Sequence, residues 1–346
     1  MKGAFRYKDE FQIYPATYEN IPKNSHASHF PVVIEYWIDD SEEHAIPKDW
    51  KDVAGFLNLN TNIMNKLKSL CNLLSVITNH RFFMYNLEGQ WFMNIPDGEI
   101  TEEINKQSSN WGFSSYIYPE LGKDMVIESF TQTNFEQIKP VEHFKYFLHE
   151  PIENSKNEIV FPQTIFLILS GFFGLDKNER KAAEAAAHLI CNGIDIQKTM
   201  KSLSFLSFIS SIETIVNLEY REKNKGIIFE CNDCKTIREA PYKCHKCNRP
   251  IWGIAAKFRE FLAEFVHDSE GSIKKYKKIY NLRSKLVHDG SLLLGDNYTD
   301  WGNVNNPNSH WLLHLETMQL SKLTMTNWLI HKRNKKVEEI KNKTTT

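Results

Sequence analysis

Short apolar and aromatic runs dominate the first part of the chain, most of them bounded by Asn, Gly, Pro or Asp. The runs at 31–38, 81–85, 90–95, 114–118 and 125–130 have the β-branched and aromatic content of strands. Those at 81–85 and 90–95 flank Leu87-Glu88-Gly89 and predict a hairpin. One stretch has a different period. Ile63, Leu67, Leu70, Cys71, Leu74 and Ile77 recur mostly three or four positions apart, the apolar stripe of a helix. Together they predict a β-rich α+β domain over residues 1–155, in which no catalytic constellation is visible.

Beyond it the period becomes helical. The longest apolar run, 159–175, is broken by Pro162, Gln163, Thr164 and Ser170. It is shorter than the roughly 20 apolar residues that cross a bilayer, so it reads as buried core and no membrane span is expected. Asp176 and Glu179 have the spacing of a capping box opening an Ala-rich helix to about Cys191, with Gly193 as its stop. The segment 201–219 carries Leu203, Leu206, Ile209, Ile212, Ile215 and Val216 on one side. Further helices are expected at 254–266, 273–288 and 311–333. The Lys-rich stretch 332–346 reads as frayed or disordered. Successive amphipathic helices imply an antiparallel bundle over 156–346.

Composition adds limits. The 346 residues are 41% hydrophobic and 25% charged, ordinary for a folded chain with a sizeable core, and the length suggests two domains. A net charge of −1 leaves no global field toward nucleic acid or membrane, so a polyanionic partner must be met by a local patch. Met1 to Arg6 leads into charged sequence without a secretory pattern. Of six cysteines, four form two Cys-x-x-Cys pairs, while Cys71 and Cys191 stand alone in helical patterns. That usage suits a metal site in a reducing compartment, and a cytoplasmic location is expected.

Cys231-x2-Cys234 and Cys244-x2-Cys247, nine residues apart, can place four thiolates at the corners of a tetrahedron. A closed four-thiolate site has no open position for chemistry. One structural Zn2+ per chain is therefore expected, in a ribbon inserted at about 224–252. Lys235, Lys243, Lys246 and Arg249 would offset the dianionic centre.

The second candidate lies in 273–288, which carries Lys and Arg but no acid. Tyr276, Ile279, Leu282 and Leu286 supply its core contacts, and Gly290 follows where a helix ends. The lysines there suit either a solvated face or a phosphate-steering patch. Arg283 and His288 are separated by four residues. Such a pair alone means little, since Arg238 and His245 make another within the ribbon.

In context, Tyr280-x2-Arg283-Ser284-x2-Val287-His288 resembles the Arg-x4–6-His motif of HEPN domains, closest to the ApeA-like branch associated with bacterial antiphage defence. An earlier segment, 205–215, resembles the family's helix in which an apolar run is followed by a Glu, here Glu213. The resemblance covers roughly 176–333. Asp289 stands between His288 and Gly290 where relatives often have His-Gly directly, and Ser284 follows the arginine where many HEPN nucleases carry Asn, Asp or His.

The resemblance implies an α+β chain ending in a HEPN-like bundle and acting as a metal-independent endoribonuclease, a toxin or antiphage-defence effector. Arg283 and His288 would be catalytic, with Glu213, Tyr280 and Ser284 in support. Lys274, Lys275, Lys278 and Lys285 would contact the RNA substrate. It further implies a homodimer in which two motifs face one cleft. The N-terminal domain would sense a trigger or position substrate, and an antitoxin could restrain the whole. A catalytically silent HEPN/zinc-ribbon module binding nucleic acid or protein is the alternative, and a zinc-ribbon nucleic-acid adaptor without chemistry is a third.

Overall fold

The computed structural model describes residues 3–16, 32–37, 51–83, 129–142, 146, 159–220, 227–230, 237–240, 252–290, 292–293, 296 and 310–344, by backbone alone at 51–63, 227–230, 237–240, 310–311 and 344. Within these the chain is α+β, and mostly helical. It forms two compact units, 1–74 with 80–163, and 75–79 with 164–346.

The first unit contains a three-stranded antiparallel sheet in the order β1 (Phe5–Tyr7), β2 (Phe11–Pro15), β3 (Val32–Tyr36). Ile13 pairs with Phe5 on one side and Ile34 on the other. β3 falls inside the run at 31–38, whereas β1 and β2 carry no clear alternation. Phe11, Gln12, Ile13 and Tyr14 are all buried, so β2 hides both faces and shows no period of two. Glu35 fastens the sheet to the segment after 129. It accepts from Thr131 N at 2.9 Å and Tyr14 Oη at 2.7 Å, and from the Thr131 hydroxyl and Gln12 amide. Burial opposes the Glu35 charge, but these donors outweigh it and hold the carboxyl below its usual range. Helix α1 (Lys51–Ile77) begins well before Ile63. Residues 81–83 and 129–130 are irregular rather than strand. The rest of the predicted hairpin and the runs at 114–118 and 125–128 lie outside the described residues.

The second unit is a helical bundle of α2 (Ile165–Phe173), α3 (Lys177–Ile196), α4 (Lys201–Glu219), α5 (Ile254–Phe265), α6 (Glu270–His288) and α7 (His310–Thr344). α3 packs on α4, both pack on α7, and α5 and α6 pack on each other and on α4. Phe172, Phe205, Phe208, Phe258, Phe261 and Trp328 are fully buried between them. Each contributes about 1.5–3 kcal/mol by leaving water. The capping box is present: Asp176 Oδ1 accepts from the Asn178 and Glu179 amides at 2.8 and 2.9 Å, and Glu179 Oε2 accepts from Asp176 N at 3.2 Å.

Two expectations need correction. α3 does not stop at Gly193 but runs on to Ile196. A Cβ on Gly193 would stand 2.6 Å from the Phe208 ring, so the glycine serves the close crossing of α3 and α4. The stretch 332–344 is not frayed but is the continuation of α7. Lys332 Nζ lies 2.9 Å from Glu179 and 2.8 Å from Glu219, tying α7 to the start of α3 and the end of α4.

Between α4 and α5 the described residues form a two-stranded sheet. Strands β4 (Ile227–Glu230) and β5 (Ile237–Ala240) pair antiparallel, with Glu230 opposite Ile237. The end of α4 and the residues before α5 are tied together by buried side chains. The Tyr220 and Trp252 rings lie 5.2 Å apart, Trp252 Nε1 donates to Glu260 at 2.9 Å, and Tyr220 Oη donates to Glu264 at 3.0 Å.

Candidate functional site

α6 starts at Ser269, whose hydroxyl accepts from Ser272 N at 3.3 Å, and therefore one turn earlier than the basic run suggested. It ends at Asp289, with Gly290 at φ +64, a left-handed conformation that a glycine adopts without strain. Tyr276, Ile279, Leu282 and Leu286 make its buried face, as their spacing dictates.

Helical geometry then separates the two motif residues. Five positions at about 100° each place Arg283 and His288 about 140° apart around the axis. Arg283 lies beside the buried face. Its Nη2 is 3.4 Å from Glu213 Oε2 on α4, with side-chain exposures of 27% and 13%. The other Glu213 oxygen, Oε1, is buried without a hydrogen bond among the described residues. Tyr280 completes the cluster. Its ring lies 5.7 Å from the Arg283 guanidinium carbon and 5.3 Å from the Phe258 ring. Burial first, then the Glu213 carboxylate, push the Tyr280 hydroxyl above its ordinary range, while Arg283 offsets part of the rise. Tyr280 therefore keeps its proton beside Glu213. Ser284 is half-buried. Glu213 and Tyr280 thus meet Arg283, while His288 is exposed at the helix end with no hydrogen bond or ion pair among the described residues.

The lysines also divide. Lys275 pairs with Glu316 of α7 at 2.9 Å, and Lys274 pairs with Glu270 at 2.7 Å. Lys277, Lys278 and Lys285 are exposed and carry no ion pair among the described residues. Lys274, Lys278, Asn281, Lys285 and His288 follow one another at steps of four and three. They fall within about 80° of arc, opposite the buried face.

Downstream of the motif the chain turns back onto α4. Asp296 accepts from Lys201 N at 2.8 Å and Ser202 N at 2.6 Å, and Ser202 Oγ accepts from Leu293 N at 2.8 Å. Met200, the residue before α4, offers no side-chain cap, so Asp296 supplies one from 95 positions away. Burial opposes its charge, but the Ser202 and Lys201 donors outweigh this and hold the carboxyl below its usual range. Sequence reading missed this cap because its signal, an acid near a helix start, is absent locally. Met200, Leu203, Val287 and Leu292, near these junctions, are exposed apolar residues.

A second constellation has catalytic spacing without catalytic access. Ser204 Oγ lies 2.8 Å from His314 Nε2, the reach of a nucleophile and base. Ser204, however, is 0% exposed and donates its hydrogen to the Gly193 carbonyl at 2.6 Å. His314 Nε2–H must then be the donor. The imidazole is driven toward its neutral form mainly by burial, with Lys201 adding and Asp296 opposing. This is a core network between α3, α4 and α7.

Cys231, Cys234, Cys244 and Cys247 lie outside the described residues. Among the described residues no group of three or more His, Cys, Asp or Glu stands ready to hold a metal, and no helix is long and apolar enough to cross a membrane. No family model, curated protein or solved structure matches the chain.

Proposed function

We propose that the chain is a metal-independent endoribonuclease of HEPN type, acting as a toxin or antiphage-defence effector, with its active cleft formed between two copies. The observation that supports this is the division of the motif: a partly exposed Arg283 held by Glu213, and a His288 exposed on a basic face with no partner among the described residues. Because the two diverge by about 140° on one helix, one phosphodiester meets an arginine and a histidine most directly when they come from different copies. Val287 and Leu292, exposed on either side of the helix end, give the second copy an apolar surface to cover.

In this reading the 2′-hydroxyl of the substrate attacks the adjacent phosphorus and gives its proton to one imidazole, the side chain suited to proton exchange near neutrality. The new O–P bond forms as the bond to the 5′-oxygen breaks. That oxygen takes a proton from solvent water. The Arg283 guanidinium, always charged and forked, meets the extra negative charge on the phosphoryl oxygens. Glu213 and Tyr280 keep that guanidinium in place. Cys231, Cys234, Cys244 and Cys247 form a donor set suited to one structural zinc, which would fold the ribbon and take no part in cleavage. The first unit is assigned the trigger-sensing or substrate-positioning role.

The purified protein should cut RNA without added divalent metal and leave a 2′,3′-cyclic phosphate. Arg283→Ala and His288→Ala should each abolish cutting, and mixing the two inactive variants should restore part of it. Full activity in either variant overturns the site. No cleavage of any RNA by the wild type leaves the silent binding module.

A further inference from the structure

We propose that the outer face of α6 is a track for single-stranded RNA, with backbone phosphates meeting Lys278 and Lys285 and leading the strand to His288. The proposal rests on the endoribonuclease reading only for the identity of the ligand and the end at which it is cut.

The track is built by register. From Lys274 to His288 the stripe rises about 21 Å at 1.5 Å per residue. That matches about six nucleotides at the ~3.4 Å rise of one strand in a stacked helix. Lys277 flanks it on the same exposed side. Acids stand only at its two ends. Glu270 pairs with Lys274, but their side chains are 84% and 75% exposed. Such a pair contributes about 0–1 kcal/mol and gives way readily to a phosphate. Asp289 caps the far end. Between them lie only lysines and Asn281, which can donate to and accept from a sugar hydroxyl or base edge. Lys275 leaves the track, because it is turned toward α7 and held by Glu316.

Charge complementarity alone would also admit an anionic membrane. An interfacial helix, however, sinks an apolar face into the lipid beneath its lysines. Here that face is Tyr276, Ile279, Leu282 and Leu286, already buried in the bundle. Val287, exposed at the helix end, is too small an apolar surface to anchor α6 in lipid. A polyanion lying across the surface is the occupant that needs only what is exposed. A single strand also leaves the 2′-hydroxyl free to reach the in-line position that its attack requires.

The test is fluorescence anisotropy of the full chain with a labelled dodecamer of uridylate at several salt concentrations. Lys278→Gln/Lys285→Gln should weaken binding at least tenfold. It should also flatten the slope of log K against log salt by about 1.4, two contacts at ~0.7 each. Lys177→Gln/Lys181→Gln, exposed lysines on α3, should change neither. All four substitutions are at exposed positions, so the fold is expected to persist. Equal affinity and slope in the α6 variant, tighter binding of duplex than single strand, or capture of phosphatidylserine vesicles with no binding of RNA would each overturn the track. Binding through the track by a wild-type protein that never cuts supports the track and sinks the nuclease reading. Cleavage untouched by the α6 variant sinks the track alone.

Discussion

The Arg283 guanidinium stands 3.4 Å from the Glu213 carboxylate, and this pairing joins α6 to α4 at the point where the motif begins. Glu213 needs a cation there because its second oxygen is buried with no donor among the described residues. Glu213→Ala should therefore strand a half-buried guanidinium and cost about 1–2 kcal/mol, less than a fully buried pair because Arg283 keeps some water. Glu213→Gln, which keeps a hydrogen-bond acceptor, should cost less. Cleavage should fall in both variants, more in Ala, with RNA affinity changing little. Urea midpoints and single-turnover cleavage check this. A Glu213→Ala protein with wild-type midpoint and rate would show that the pair holds nothing in place.

Lys322 offers a test of the bundle by pH. Its amine donates to the Thr78 carbonyl within the second unit, and burial pushes it down to about 8 from 10.5, with Cys191 opposing. A lysine whose folded value is depressed sheds its proton first in the native state. Between about pH 8 and pH 10 the unfolded chain then binds more protons, and stability rises with pH by about 2 kcal/mol from this group. Below pH 8 the full penalty of the buried charge is present. Above pH 10 the raised hydroxyls of Tyr220 and Tyr36 work the other way, which closes the window. Lys322→Met should remove the rise. Parallel urea titrations of both proteins across the window decide it, and equal slopes would refute it.

How much of this could be read in advance depends on whether the signal is local. The capping box at Asp176 and Glu179, the buried face of α6 and the glycine after its last turn are all short-range, and each stands where its spacing put it. Gly193 misled because a glycine near a helix end reads as a stop, while its true constraint is the Phe208 ring on another helix. The tail after Lys332 misled because composition cannot see the two carboxylates, Glu179 and Glu219, that await a lysine. The same applies to the site. The stripe from Lys274 to His288 is visible as a periodicity, but that Lys275 pairs with Glu316, and Arg283 with Glu213, is tertiary information.

The continuation of α7 makes its own claim. Lys332 sits between two carboxylates at 14% exposure, and Trp328 Nε1 donates to the same Glu219 at 3.2 Å. Burial works against its charge, but Glu219 and Glu179 outweigh this and raise its pKa, so the lysine stays charged through neutral pH. Lys332→Met would leave the two acids facing one another without a cation, a loss of about 2–4 kcal/mol. Ending the chain after His331 should be at least as costly. Thermal unfolding followed by circular dichroism checks both, and a truncated protein with an unshifted midpoint would return 332–344 to the status of a tail.

The segment between Tyr220 and Trp252 should unfold separately from the bundle. Its two ends are closed by Tyr220 and Trp252, whose rings are 5.2 Å apart, and by Glu264 and Glu260, which accept from them. With the base fixed, the bundle need not sense whether the segment between is folded. The connection between β4 and β5 carries Cys231 and Cys234, so a metal held there would govern the hairpin directly. Native mass spectrometry should find one zinc per chain, lost in Cys234→Ser. Hydrogen exchange in that variant should speed up across 227–240 and stay slow in α3, α4 and α7. Trp252→Ala, which opens the base, should spread the loss into α5. A metal-free chain that keeps 227–240 protected would remove the zinc, and global unfolding of Cys234→Ser would show that the base does not isolate the insertion.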